Sequence, residues 1–311
     1  MRAVVIDNYG DKEQLKMREI DKPEITDDQV LVELHAASIN PIDWKLRQGY
    51  LKEKADFDFP IILGWDLAGV VAETGKNVTK FKKGDNVFAR PDLTRLGTYA
   101  EYAAVDERLL AHMPENITYE EAASVPLAGL TAWQCLIDFS EIKDGDKVLI
   151  HAGSGGVGSY AIQLAKHFGA YVATTASGKN QDWVTELGVD RFINYQEEDF
   201  SEVLEGFDIV VDTIGGEVQE KSYEVLKDGG KLVSIVQPPE EEKAKELGIK
   251  AGFHWLEPEG EQLAKIADLI KKGKVRAVVG HQFDFSEEGL KQAHELSETH
   301  HAQGKIAISI K

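Results

Sequence analysis

The 311-residue chain has a single cysteine, Cys135. One thiol excludes an internal disulfide and any cysteine-rich zinc cluster, and it points to a reducing compartment, the cytoplasm. Basic residues are also in short supply. Lys and Arg total 35 against 54 Asp and Glu, so the formal charge is −19. A surface of that sign repels nucleic acid and anionic lipid, and neither is expected as a partner. Long apolar runs are missing as well. No stretch approaches the roughly 18 continuous apolar residues of a membrane span, and the opening MRAVVIDNYG lacks the apolar core of a secretory signal. What is left is the composition of a globular protein, in a chain long enough for two domains with separate cores.

The texture changes along the chain. Up to about residue 120, short runs such as RAVVID, VLVELHAA, AGVVAETG, DNVFA and YAEYAAV alternate with Gly, Asp, Asn and Pro. They predict an irregular, mostly antiparallel β-rich domain. TYEEAASVPLAGLTAWQCLIDF then reads as helical, with Pro126 expected to break or bend it. From DKVLIHA onward strands and helices alternate, with helices expected from Gly156, over 179–187 and over 260–272, which predicts βαβ units and a parallel sheet. The closing KIAISIK is strand-like and its period of two suits the first domain, so the β-rich domain is expected to recapture the C-terminus. The expected division is 1–121 with 277–311, and 122–276. The charged run at 240–245 reads as a solvated helix face.

One segment carries most of the chemical signal. In VLIHAGSGGVGSYAIQLAKHFGA, a buried strand is followed by Gly153, Gly155 and Gly158 in G-x-G-x-x-G spacing, then by a helix. A helix N-terminus behind such a turn presents free amides and a positive dipole end to a phosphate. Bare backbone at Gly155 admits a pyrophosphate, and Gly158 lets the helix lie close on the strand. The loop residues Gly153, Ser154, Gly155, Gly156, Val157 and Gly158 are therefore candidate dinucleotide-binding residues. An NAD site carries an acidic residue at the end of the second strand. Here YVATTA ends in Ser177-Gly178-Lys179 with no carboxylate. Ser177, Lys179 and Tyr195 offer donors and a cation to a 2′-phosphate, so NADPH is the expected cofactor.

Three further segments, AASINPIDWKLRQG, GWDLAG and LAGLTAW, stand in order with that loop. Together they resemble the medium-chain dehydrogenase/reductase superfamily, of the zinc-independent quinone-oxidoreductase type. The resemblance spans nearly the whole chain. It implies an α/β fold in which a Rossmann, doubly wound parallel sheet is joined to a discontinuous GroES-like domain built from both chain ends, with NADPH held in a cleft, and a homodimer. The zinc-dependent branch carries a ligand histidine where Trp65 stands here and a ligand cysteine in the region of residues 38–40; Ser38 and Asn40 lie in that region, and no metal is expected. The resemblance further implies that Asn40 and Asp43 face the nicotinamide and that Thr131 bonds the cofactor. It also implies that the loop before Lys305, in Gln303-Gly304-Lys305, touches the cofactor. Related enzymes carry a tyrosine two positions after the aspartate; Lys45 stands there, and Tyr50 is the nearest alternative proton donor. Asn40-Pro41 as a turn and Asp43 as a helix cap fit the same residue types.

The expected reaction is hydride transfer from NADPH to a small electrophile, a quinone or an α,β-unsaturated carbonyl, which needs orientation and a proton more than a Lewis acid. An enoyl-thioester reductase, or a non-catalytic NADPH-binding redox sensor, would share every one of these motifs. His151 reads as a strand-end residue, His294, His300 and His301 as surface histidines, and Cys135 as a buried packing residue.

Overall fold

A computed structural model describes all of residues 1–311. It divides into two units: Met1–Leu127 with Pro258–Gly273 and Ala277–Lys311, and Ala128–Glu257 with Lys274–Arg276.

The first unit is organised by strand Gln29–Ile39. Its apolar residues are buried almost without interruption, because it pairs antiparallel with three partners: Leu67–Thr74, Tyr102–Asp106 and Lys305–Ser309. The sheet runs Val279–Asp284, Lys305–Ser309, Gln29–Ile39, Leu67–Thr74, Asn86–Ala89, Leu110–His112. Lys16–Glu19, Arg2–Ile6 and Ile61–Ile62 form a smaller sheet. One pairing departs from the antiparallel expectation: Val279–Asp284 lies parallel to Lys305–Ser309. The two are joined through helix Glu287–Glu298, so this end of the unit is a small βαβ crossover. The NPID segment forms a helix, Pro41–Arg47, with proline in its first turn.

The second unit is a sheet of six parallel strands in the order Arg191–Asn194, Tyr171–Ala176, Lys147–Ile150, Phe207–Asp212, Leu226–Ser234, Lys250–Phe253. Strand order reverses direction at Lys147–Ile150, and a sheet of this kind opens its crevice beyond the strand ends at that point. The glycine loop is the segment that leaves it.

Several local expectations shift. Pro126 starts a helix, Pro126–Trp133, instead of bending one, since a first-turn residue needs no amide proton; a π-helical turn, Gln134–Phe139, follows. The helix expected over 179–187 is a short 3-10 turn, Gly178–Asn180, and then Gln181–Glu186. Helix Gly260–Lys271 groups with the first unit, not the second. A Cβ on Gly260 would stand 2.4 Å from the Arg108 carbonyl and 2.6 Å from that of Leu110, so only glycine lets the helix begin against that backbone. No helix is long and apolar enough to cross a membrane.

Candidate active site

In the second unit, strand Lys147–Ile150 runs into His151 and then Ala152, which adopts a left-handed φ of 50° before the glycines begin. Two glycines serve the protein's own packing. A Cβ on Gly153 would fall 2.0 Å from Thr174 Oγ1, and one on Gly158 would fall 2.3 Å from the Ala152 carbonyl. Gly158 is thus what lets helix Gly156–His167 lie against the loop. Gly155 differs. Its φ of −81° and ψ of 177° suit any residue, and a Cβ there would meet only the Ala152 oxygen at 3.4 Å. No neighbour needs that position bare. Space kept open before a helix N-terminus fits a pyrophosphate.

The loop rests on His151. Its Nδ1 lies 3.1 Å from Thr175 Oγ1 and its Nε2 lies 2.9 Å from Ser222 Oγ. The Ser222 hydroxyl donates to the Val218 carbonyl, so it accepts from His151, which fixes the proton on Nε2. Thr175 Oγ1 also receives the Ala152 amide. His151 is a buried support of the loop's left-handed corner, and burial lowers its pKa to about 4.

At the ribose end, Ser177 and Lys179 follow strand Tyr171–Ala176, and the Tyr195 amide bonds the Ala176 carbonyl. The three are gathered at one corner, with Lys179 and Tyr195 exposed. Asn180, which the sequence did not single out, donates to Ser154 Oγ at 2.9 Å and to Ser177 Oγ at 3.3 Å. An amide nitrogen only donates, so both hydroxyls accept here and keep their protons for a ligand. Thr131 is buried on helix Pro126–Trp133, and Val157 is half-buried in the first turn after the loop.

The first unit holds a second polar cluster. The Lys305 ammonium donates to the Ile39 carbonyl at 2.9 Å and to Asn40 Oδ1, and reaches Asp66 Oδ2 at 3.4 Å. Asp66 Oδ2 also accepts Ser38 Oγ and Asn40 Nδ2, and its Oδ1 accepts the Leu127 amide. Asn40 is thereby held at both ends of its amide, oxygen by a cation and nitrogen by an anion. Asp43 Oδ2 accepts the Asn40 backbone amide at 2.8 Å and the Tyr99 hydroxyl at 2.7 Å. His294 Nε2 lies 3.2 Å from Tyr99 OH, and its Nδ1 faces Arg47, which can only donate. The proton therefore sits on His294 Nε2, and the chain of bonds runs one way, from Arg47 through His294 and Tyr99 to Asp43.

Four expectations change here. His294 is a fully buried member of this chain, not a surface histidine, because helix Glu287–Glu298 packs it onto Tyr99. Lys305 has spent all three ammonium protons inside the unit, so it has none for a cofactor phosphate. Asp43 is fully buried and caps helix Pro41–Arg47 while accepting a bond from the Tyr99 hydroxyl, so its carboxyl is turned to Asn40 and Tyr99. Tyr50 stands 72% exposed, outside the cluster. Asp66, Tyr99, Arg47 and His294 were missed. The one available signal was a charged Asp66 inside an apolar run, GWDLAG. Trp65 beside it is fully buried core, its Nε1 donating to the Thr94 carbonyl. No three or more His, Cys, Asp or Glu side chains converge as a metal site would need.

Burial pushes the Asp43 pKa up from 3.8 to about 7, against the pull of its bonds from Asn40 and Tyr99 and of the Lys305 charge, and with the push of Asp66. Burial, helped by Arg47, lowers His294 from 6.5 to about 3. The two act on stability in opposite directions. Below pH 6.5 the unfolded chain binds a proton that native His294 refuses, so stability falls as pH drops. Between pH 3.8 and about 7 native Asp43 keeps a proton that the unfolded chain has lost, so stability falls as pH rises. Asp43→Asn mimics the neutral carboxyl and places its nitrogen where Oδ1 has no partner. The variant should gain on wild type by a few kcal/mol (on the order of 1.4 per pKa unit) between pH 4 and pH 8. Urea midpoints across that range test it, and a difference that does not change with pH rejects the Asp43 assignment.

Comparison with known proteins adds the family. Residues 26–115 match the alcohol dehydrogenase GroES-like domain and residues 187–308 the zinc-binding dehydrogenase family. The chain is 39% identical to the NADPH-dependent alkenal/one oxidoreductase of Arabidopsis thaliana, over 99% of this chain and 79% of that protein. The chain belongs to the medium-chain dehydrogenase/reductase superfamily, quinone oxidoreductase type. Among solved structures of this superfamily, the quinone oxidoreductase from Coxiella burnetii superposes with a TM-score of 0.92 at 37% identity, covering 100% of this chain and 99% of that one. The Escherichia coli quinone oxidoreductase complexed with NADPH gives 0.89 at 26% identity, with full coverage of both chains.

Proposed function

We propose that this superfamily member is a zinc-independent, NADPH-dependent reductase of α,β-unsaturated carbonyls and quinones. The observation that carries the reading is the likeness, over essentially the whole chain, to an enzyme named for alkenal and enone reduction with NADPH. The second unit is the cofactor domain and the first the catalytic one. When bound, NADPH supplies the hydride. The open face of Gly155 and the amides of Gly156 and Val157 take its pyrophosphate, with Ser154 beside them, and Thr131 adds a hydroxyl. Ser177, Lys179 and Tyr195 take the 2′-phosphate, where a carboxylate would repel it.

Asn40 is the donor to the substrate oxygen. One of its amide protons goes to Asp66, and the Lys305 contact at its oxygen makes the remaining proton a stronger donor. Asp43 is a positioning residue for Asn40. Zinc has no place in this scheme, although a matched family carries it in its description. Trp65 fills the core where the metal branch has a ligand, and Asn40 and Ser38 are tied to Asp66. The cytoplasmic location and the homodimer belong to the same proposal, resting on the buried, unpaired Cys135 and on the open sheet edge at strand Lys250–Phe253 beside the exposed Trp255.

The test is NADPH consumption with 1,2-naphthoquinone and with 3-buten-2-one, in the presence of a chelator, with NADH in parallel. Turnover with NADPH, unaffected by chelation, is expected. Lys179→Ala should raise the KM for NADPH about tenfold, the low end for a charge-assisted bond because the side chain is exposed, and leave NADH nearly unchanged. Preference for NADH, or activity lost with the metal, rejects the reading.

A further inference from the structure

Two arginines of the first unit are buried, and they are treated very differently. Arg47 donates to the Gly10 carbonyl, to His294 Nδ1 and to Glu298 at 2.7 Å. Arg90, 4% exposed, finds one acceptor, the carbonyl of the adjacent Pro91, 2.6 Å from its Nη1. Its Nε is enclosed with no partner at all. A guanidinium carries five N–H donors and does not lose its charge inside a protein. Burial works against that charge, and only the fields of Asp66, Asp92 and Asp43 offset it.

The position of Arg90 makes this specific. Ala89 stands opposite Leu67 in the antiparallel pairing of Asn86–Ala89 with Leu67–Thr74. The residues that continue the two strands past that pair are Arg90 and Asp66. Asp66 is already saturated by Ser38, Asn40, Lys305 and the Leu127 amide. Arg90 therefore lies next to the Asn40 cluster with a fixed positive charge and almost no protein acceptor. Buried polar groups in native proteins find partners, and an exception at a cation is the form expected of a site that awaits an anion.

We propose that Arg90 is an oxyanion-binding residue, whose guanidinium takes a substrate oxygen that carries or develops negative charge beside the amide of Asn40. This rests on the reductase reading. When hydride adds to the β-carbon of an enone, the hydride pair forms the new C–H bond and NADPH becomes NADP⁺. The alkene pair shifts to the α-carbon–carbonyl bond, the carbonyl pair comes to rest on oxygen, and a proton later completes the α-carbon. The oxygen charge is what Arg90 meets. Hydride addition to a quinone leaves the same charge on a hydroquinone oxygen. A carboxylate carried by the substrate would present it from the start, and matches the planar fork in two bonds.

The experiment compares wild type with Arg90→Met and Arg90→Lys. Without cofactor, 4-nitrophenol reports the site directly: wild type should bind it as the visible-absorbing phenolate at a pH where it is mostly neutral in water, and Arg90→Met should not. In turnover, 3-buten-2-one and 4-oxopent-2-enoate separate the two sources of charge. A kcat about a hundredfold lower for both, with KM unchanged, assigns Arg90 to the developing charge. A KM rise confined to the acid assigns it to a substrate carboxylate. Arg90→Lys should recover part of either loss. Removing an unpaired buried cation should leave the urea midpoint unchanged or raised, whereas a structural arginine would lower it. Equal phenolate binding with unaltered kinetics, or a lowered midpoint with unaltered kinetics, overturns the proposal. Arg90-dependent phenolate binding in a protein that reduces neither substrate would keep the oxyanion site and reject the reductase reading.

Discussion

Gly155→Ala should leave the fold intact and cost the cofactor, whereas Gly158→Ala should cost both. The two positions are three residues apart in the same loop, yet their surroundings differ. A methyl on Gly155 would meet one oxygen at 3.4 Å, an ordinary contact, in a backbone conformation open to every residue. Without cofactor its urea midpoint should match wild type. With cofactor the same methyl stands where a pyrophosphate must approach. Overpacking of that kind costs about 1–3 kcal/mol, or roughly ten- to a hundredfold in NADPH affinity. A methyl on Gly158 would lie 2.3 Å from the Ala152 carbonyl and 2.8 Å from Gly153 Cα, both of them backbone. Helix Gly156–His167 must then back away from the loop, at about 3 kcal/mol of stability, the upper end of the overpacking range. Unfolding curves without cofactor and NADPH fluorescence titrations check the pair. Wild-type affinity in Gly155→Ala would remove the pyrophosphate assignment.

The largest stability loss is expected at Lys305. Its ammonium is buried, 4% exposed, against an Asp66 carboxylate that is fully buried. Desolvation lowers its pKa, with the charges of Asp66 and Asp43 opposing. Lys305→Met would take the ion-pair partner from the buried Asp66 anion and strip Asn40 Oδ1 of its donor. Breaking a buried pair from one side costs about 3–5 kcal/mol. Lys305→Met combined with Asp66→Asn should recover part of that, because the amide leaves no anion to strand but also withdraws the Asp66 field that offsets the burial of Arg90. Urea unfolding of the single and double variants measures the coupling. Whatever single variant folds should bind NADPH as wild type does, since the ammonium is consumed inside the first unit. Normal stability with weakened NADPH binding would show instead that Lys305 reaches the cofactor.

The cofactor half of this protein was legible because its signals are local. Gly153, Gly155 and Gly158 lie within six residues, between a strand and a helix whose periods are unmistakable, and Ser177-Gly178-Lys179 follows the next strand directly. Even there, only coordinates separate Gly155, which nothing in the protein requires, from Gly158, which the helix does. The catalytic half was legible as a resemblance in AASINPIDWKLRQG and not as chemistry. Nothing near residue 40 in sequence announces that Asn40 is gripped by Lys305, or that Asp43 ends a chain from His294.

What the sequence by itself determined was the class of the chain, the dinucleotide turn, the missing acidic residue after YVATTA, and a C-terminal strand that belongs with the N-terminal sheet. Each follows from periodicity or from residue types a few positions apart. What only the tertiary structure decided was which charges are buried and with whom. Strand Lys305–Ser309 pairs with Gln29–Ile39, which carries Lys305 to Asn40 and Asp66. Helix Glu287–Glu298 folds His294 onto Tyr99. The pairing of Asn86–Ala89 with Leu67–Thr74 leaves Arg90 beside an already satisfied Asp66. Whether a lysine, histidine or arginine is a solvated surface group or a working one depends on desolvation and on neighbours tens to hundreds of residues away, and neither is written in local sequence.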